Sequence, residues 1–392
     1  MTQKQSLSFE NTEIAFRHSS NADLKRAYWL FKIINVNFLV KIGPPITNFA
    51  IKIGLPIKGL IKATIFNHFC GGETIRECEA TIKSLESGRV GTILDYSIEG
   101  EDDEQVFDDT REEIIRTIKR AAKDKAIPIT VFKVTGVGRF GLLEKLDART
   151  PLTNAEQQEW QKVQDRVLAI CEKAYAVNVP VMIDAEETWI QDTIDLLALN
   201  MMRKFNKQKA IVYNTYQLYR HDKLESLMND NEVAVKESFI LGAKLVRGAY
   251  MEKERKRAEE QGYPSPIQPT KEASDRDFNL ALDYCTDHIN TIAFVAGTHN
   301  EDSCRLLTEQ LDAKNINHKN SHVYFAQLLG MSDNLSFNLA DADYNVAKYV
   351  PYGPIKAVLP YLFRRAQENT AIAGQMSREL SLIVKEKKRR KL

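Results

Sequence analysis

Along most of this chain, polar and ionisable residues stand at the carboxyl ends of short apolar runs. They are Asp95 and Glu99, then Lys133 and Thr135, then Asp184, Glu186 and Glu187. Asn214, Thr215 and Gln217 follow, then Lys244 and Arg247, Thr298, His299 and Asn300, Gln327, and finally Lys348 and Tyr349. Each alone reads as a helix cap or a solvated loop, but their recurrence at eight successive ends predicts one shared working face. After the last of them, Tyr361, Arg364, Arg365 and Glu368 fall at offsets of three, four and seven, which puts them on one helix face. Adjacent guanidinium groups beside an aromatic ring suit a carboxylate held by forked, charge-assisted hydrogen bonds. The competing reading is a surface arginine pair bridged to Glu368. Lys133 or Lys244, each near a strand end, could instead form a Schiff base with a carbonyl substrate. His299, His318 and His322 show neither HxH nor HExxH spacing, so no metal site is expected.

The elements that must carry these groups show an alternating rhythm. Apolar runs at 91–95, 129–133, 181–184, 211–214, 243–247, 292–295, 323–325 and 346–349 read as strands. Helical stretches such as Asn154–Ala176 and Asp275–Asn290 lie between them, the first opened by a capping box at Thr153 and Glu156. Eight strand–helix units predict an α/β fold, a (β/α)8 TIM-type barrel, over an open doubly wound sheet. The expected divisions are a helical N-terminal arm (1–85), the barrel (86–375) and a basic C-terminal tail (376–392), the last solvated. Gly136, Gly138 and Gly141 match GxGxxG after a strand, but the next helix start is read at Thr153, and no second strand ending in an acid follows. The motif is therefore taken as a flexible loop.

Composition removes several classes. With 54 basic and 53 acidic residues the net charge is +1, which argues against a nucleic-acid partner. Hydrophobic residues make up 43% of 392, too many for a disordered chain. Five cysteines without CxxC spacing exclude a disulfide framework and a zinc ribbon. The polar, acidic start reads as neither a secretory signal nor a transit peptide. Residues 28–65 are apolar but interrupted by five lysines, too often for a spanning helix. They read as broken helices packed on the main domain, or as an amphipathic segment lying on an anionic membrane. The expected location is cytoplasmic, with a peripheral place at the inner face of the membrane as the variant reading.

Longer runs occur in order over residues 90–375: LDYSIEGE (94–101), FKVTG (132–136), IDAEET (183–188), YNTYQLY (213–219), KLVRGAYMEKERKRA (244–258), GTHNED (297–302), YFAQLLGM (324–331) and KYVPYGPIKAVLPYLFRRAQENT (348–370). Together they resemble the proline dehydrogenase family, closer to its eukaryotic mitochondrial type than to the bifunctional bacterial one. The resemblance implies a distorted barrel that binds FAD without a dinucleotide-binding domain, which accounts for the glycine motif. It implies oxidation of L-proline to 1-pyrroline-5-carboxylate, the first step of proline catabolism, with hydride passing to flavin N5 and electrons to a quinone. By resemblance, Arg364 and Arg365 take the proline carboxylate with Lys133 in support, Tyr349 and Tyr361 pack on the ring, and Glu99 partners the arginines. Asp184, Lys244 and Arg247 are the expected catalytic positions. Flavin contacts are implied for Asn214 or Gln217, Arg247, Gly248, Ala249, Thr298 and His299, with Thr270 and Lys271 near its phosphates. Many bacterial members carry the cations of Lys244-Leu-Val-Arg247 in exchanged order. A hydroxyproline-oxidising branch is similar, but Tyr349 would crowd a ring hydroxyl, which favours proline.

Overall fold

A computed structural model of the chain describes residues 7–34, 58–98, 102–368 and 377–392. Eight parallel strands follow one another in sequence order and close into a barrel: β1 (Gly91–Tyr96), β2 (Thr130–Phe132), β3 (Val181–Ile183), β4 (Val212–Gln217), β5 (Leu241–Val246), β6 (Ile292–Gly297), β7 (Val323–Leu328) and β8 (Val346–Tyr352). The predicted strands are all present, and no strand order is skipped, as expected when each strand is returned by a helix. The open doubly wound alternative is thereby set aside. The chain divides into two compact units, Ile98–Ala326 and the remainder, Met1–Ser97 with Gln327–Leu392.

In the unit Ile98–Ala326, strand residues are buried on both faces, as parallel sheets require. The helix Asn154–Ala176 opens on the predicted capping box, with the Thr153 hydroxyl accepting from Glu156 N–H and the Glu156 carboxylate accepting in return. The glycine-rich stretch differs from expectation. It is not a flexible loop: Val134–Gly136 form a 3₁₀ turn and a helix already starts at Phe140. Sequence hid that start because Arg139, at its N-cap, makes no side-chain cap bond. What holds the turn is tertiary, an Arg139–Glu159 ion pair at 2.8 Å. Gly138 is needed for packing, since a Cβ there would lie 2.7 Å from the Val163 side chain. Gly138 thus lets the turn close on the helix Asn154–Ala176.

In the other unit, β1 and β8 pair in register from Gly91↔Ala347 to Tyr96↔Tyr352. β8 runs past its expected end because Pro351 needs no N–H there, while its carbonyl accepts from Gly71 N–H at 2.9 Å. Tyr349 is consequently mid-strand. The helix Ile355–Glu368 follows and packs Val358, Leu359 and Leu362 into a core with Phe31, Phe66, Phe69, Leu382 and Ile383. The C-terminal run is a helix too, Arg378–Arg389, and not a solvated tail. Leu380, Leu382 and Ile383 are buried, and Glu386 bonds both Arg389 and Arg390. Of the 28–65 stretch, the helix Asn21–Ile34 buries Leu24, Phe31 and Ile34, whereas 35–57 lies outside the described residues.

Candidate active site

Each expected site residue can be followed from its strand. Asp184 comes directly after β3, and its N–H donates to the Phe132 carbonyl at 2.9 Å, which ties the end of β3 to β2. Lys244 is the fourth residue of β5, paired in register with Thr215 and Val295. Its Nζ lies 2.5 Å from Asp184 Oδ1, and both side chains are buried. The two groups that sequence placed sixty residues apart thus form one ion pair inside this unit.

Arg247, just beyond β5, is held on every side. Its Nε donates to Asp275 Oδ1 at 2.5 Å, Nη1 to Thr298 Oγ1 at 2.7 Å and Nη2 to Ser303 Oγ at 2.9 Å, with the guanidinium 4.4 Å from the Phe278 ring centroid. Burial disfavours the Asp275 carboxylate, but bonds from Lys271 and Arg247 outweigh it and hold its pKa below the ordinary value. Thr298, just after β6, joins Arg247 to that strand's end. Lys271 is exposed and paired to Asp275, and the Thr270 hydroxyl caps the helix Lys271–Asp287 by accepting from Ala273 N–H. In this structure, then, Thr270 and Lys271 support Asp275 and the helix start. Gly248 adopts φ +144°, and a Cβ on it would fall 2.4 Å from the Tyr219 ring, so the turn after Arg247 requires glycine.

The alternation of β4 separates the two alternative flavin contacts. Asn214 donates to Asp195 Oδ1 at 2.9 Å and Tyr216 donates to Asp230 Oδ2 at 2.7 Å, so both face the surrounding helices. Thr215 and Gln217 point the other way: Gln217 Nε2 donates to the Glu186 carbonyl at 2.8 Å and Thr215 Oγ1 to the Ile183 carbonyl at 2.7 Å. Gln217, not Asn214, shares the interior face with Lys244. Sequence reading gave Glu186 no specific part. Its carboxylate accepts from both the N–H and the hydroxyl of Thr135, fastening the turn after Lys133 to the loop after β3. Lys133 itself is half-buried at the mouth of that turn, and Ala249 and His299 lie in the segments after β5 and β6. No spacing rule flags Glu186, because its partner Thr135 follows another strand, and the i,i+4 spacing of Lys271 and Asp275 gives no hint of Arg247.

In the second unit, Tyr349, Tyr361 and Arg365 are buried and Arg364 is half-buried. The Arg365 guanidinium lies 5.2 Å from the Tyr361 ring centroid, as the shared helix face predicts. Glu99 and the side chain of Glu368 lie outside the described residues. Lys348 is fully buried, facing Asp333 Oδ1 at 2.8 Å and donating to the Met331 carbonyl at 2.6 Å, so it is structural and not a strand-end group.

A family model described as proline dehydrogenase matches residues 78–378, more than half of the chain. The chain belongs to the proline dehydrogenase family. It is 33% identical to proline dehydrogenase 1, mitochondrial, of Dictyostelium discoideum over 97% of this chain and 74% of that protein. It is likewise 33% identical to the carbapenem antibiotics biosynthesis protein CarD of Pectobacterium carotovorum, over 85% of this chain and 86% of that one. The chain is similar in structure to proline utilization A from Bdellovibrio bacteriovorus, inactivated by N-propargylglycine, with a TM-score of 0.73 at 18% identity. That match covers 94% of this chain and 40% of the larger one, and it bears on the fold alone. As a proline dehydrogenase family member the chain is an oxidoreductase of the TIM-barrel type. Among the described residues no helix is long and apolar enough to cross a membrane.

Proposed function

We infer that the chain oxidises L-proline to 1-pyrroline-5-carboxylate with FAD as its cofactor and a quinone as acceptor. The observation that carries the reading is the buried Lys244–Asp184 pair, with Arg247, three residues on, anchored through three of its N–H groups. Oxidation moves a hydride and leaves positive charge on the substrate, so the acceptor side of the site needs fixed cations in a dry setting. The donor set fits a flavin. Three of the five N–H groups of Arg247 are committed to Asp275, Thr298 and Ser303, leaving one on each terminal nitrogen for a ligand. Arg247, Gly248, Ala249, Thr298, His299 and Gln217 would hold the cofactor, with Thr270 and Lys271 nearer its phosphates. FAD supplies, when bound, N5 as hydride acceptor and an N1–C2=O edge that becomes negative.

The remaining steps belong to the chain. Arg364 and Arg365 take the substrate carboxylate, Lys133 is assigned to support them, and Tyr349 and Tyr361 are assigned to pack on the ring. Glu99 is assigned to partner the arginines. Asp184 fixes the Lys244 ammonium, so that its charge needs no reorganisation during transfer. The amine must be neutral before the hydride leaves, and turnover rises with pH until that proton is lost. The barrel that does this is assigned to residues 86–375, with 1–85 and 376–392 as the elements flanking it. In the alternative, a Schiff-base lyase using Lys133 or Lys244, the attacking group is a neutral amine, and the Lys244 ammonium paired with Asp184 has no lone pair to offer.

Anaerobic addition of L-proline should bleach the bound flavin, and hydroxyproline should do so far more slowly. Arg364→Met should raise the proline KM about 10- to 100-fold, the loss of a charge-assisted bond, with the flavin spectrum unchanged. A flavin that proline does not bleach would refute the reading.

A further inference from the structure

The interior face of β4 carries a second set of polar groups at the opposite strand end. Tyr213 lies two residues before Thr215 and shares its face. Tyr324 pairs in register with Val295, and Val295 with Lys244, which puts Tyr324 on the same interior. At the level of Tyr213, β5 and β6 contribute only Gly242 and Ala293. That makes room for the ring, since a Cβ on Gly242 would fall 2.9 Å from it. Both tyrosines line a cavity of 520 Å³ at the amino ends of β2, β3, β4 and β7, walled by apolar residues such as Ile127, Pro128, Val179 and Pro180. Four residues of β4, about 13 Å, separate Tyr213 from Gln217, so this cavity is distinct from the candidate active site.

Its polar groups are uncommitted. Among the described residues neither tyrosine hydroxyl bonds to a protein group. Burial raises the pKa of both phenols, and Tyr324 raises that of Tyr213 further, so both remain protonated donors. Lys123, Lys125 and Lys209 stand exposed on the rim, and none is ion-paired among the described residues. Lys209 donates to Asn178 Oδ1 at 3.1 Å, and partial desolvation lowers its pKa with no carboxylate opposing. The acid in the lining, Asp124, is already satisfied by Arg120 at 2.7 Å and the Ala126 N–H at 2.9 Å. Unpaired ammonium groups at the mouth, apolar walls and phenol donors at the floor select an anion with an apolar body and an acceptor at its far end. An inorganic anion would leave the walls and the phenols unused.

We propose that this cavity binds an aromatic carboxylate that carries a ring oxygen. Its carboxylate meets Lys123, Lys125 and Lys209, and its ring oxygen meets the Tyr213 and Tyr324 hydroxyls. The site lies outside the chemistry proposed for proline and stands or falls without it.

The test is calorimetric titration of 4-hydroxyphenylacetate into the full flavin-loaded chain, with excess L-proline present anaerobically to fill the proline site. One saturable site is expected, weakened about tenfold in Lys209→Gln and further when Lys123→Gln and Lys125→Gln are added. Tyr213→Phe should weaken 4-hydroxyphenylacetate while leaving phenylacetate, which lacks the ring oxygen, unchanged. No saturable binding, binding indifferent to the lysine substitutions, or equal weakening of both acids in Tyr213→Phe would each overturn the proposal. So would the uncharged 4-hydroxyphenylacetamide binding as tightly as the acid. Inorganic phosphate binding as tightly would reduce the cavity to a patch of surface charge and overturn it as well.

Discussion

A lysine ammonium and an aspartate carboxylate withdrawn from water each carry a desolvation cost of several kcal/mol, offset only while both are present. Lys244 and Asp184 are such a pair, with side chains 8% and 13% exposed. Asp184→Asn should therefore cost about 3–5 kcal/mol, because it strands the ammonium, and urea unfolding would show the loss. Lys244→Met combined with Asp184→Asn should recover much of that stability. The double variant should still reduce its flavin about 10²- to 10³-fold more slowly than the parent in anaerobic stopped flow, since the fixed cation is gone. Recovered stability with parental flavin reduction would mean the pair is structural only. Sequence shows half of this pair: both residues stand at strand ends, but neither spacing nor composition brings β3 and β5 together. Gln217 and Asn214 were not separable until the partners Asp195 and Glu186 showed which way each faces.

Elements position the site through their ends, and the turn after β5 is the most constrained of these. Gly248 has φ +144° and no room for a Cβ against Tyr219, and it directly follows Arg247. Gly248→Ala should displace that turn and loosen the Arg247 anchor, giving protein with a markedly lower flavin-to-protein absorbance ratio. Gly262, at φ +71°, closes the helix Met251–Gln261 with open space around it, so Gly262→Ala should cost only about 1 kcal/mol and leave flavin content intact. Equal flavin content in both variants would refute the role given to Gly248. Elements whose ends carry local chemistry were readable from sequence, as Asn154–Ala176 was from its capping box. Those whose ends rest on distant partners were not. The helix at Phe140 leans on Glu159, and β8 continues through Pro351 because Gly71 supplies the bond.

At the largest scale, within the unit made of Met1–Ser97 and Gln327–Leu392, the helix Arg378–Arg389 is tied back to the loop after β7, and Glu379 shows how. Its carboxylate accepts from the Ser332 N–H in the loop between β7 and the helix Asp333–Asp341. Burial is the chief cause that pushes Glu379 up to about 7, reinforced by Asp333 and opposed by the Ser332 N–H and by Lys348. The folded chain thus holds this proton more tightly than the unfolded one, whose glutamate ionises near its ordinary value. Stability is unaffected below about pH 4.5, falls as pH rises from there to about 7, and stays reduced above, by at most about 3 kcal/mol. Glu379→Gln keeps an oxygen for Ser332 and removes the titration. Its unfolding midpoint should match the parent near pH 4 and exceed it at pH 8, the gap opening between those values. A gap that does not change with pH, or one that opens toward acid, would show that Glu379 is not the group that couples the last helix to proton binding.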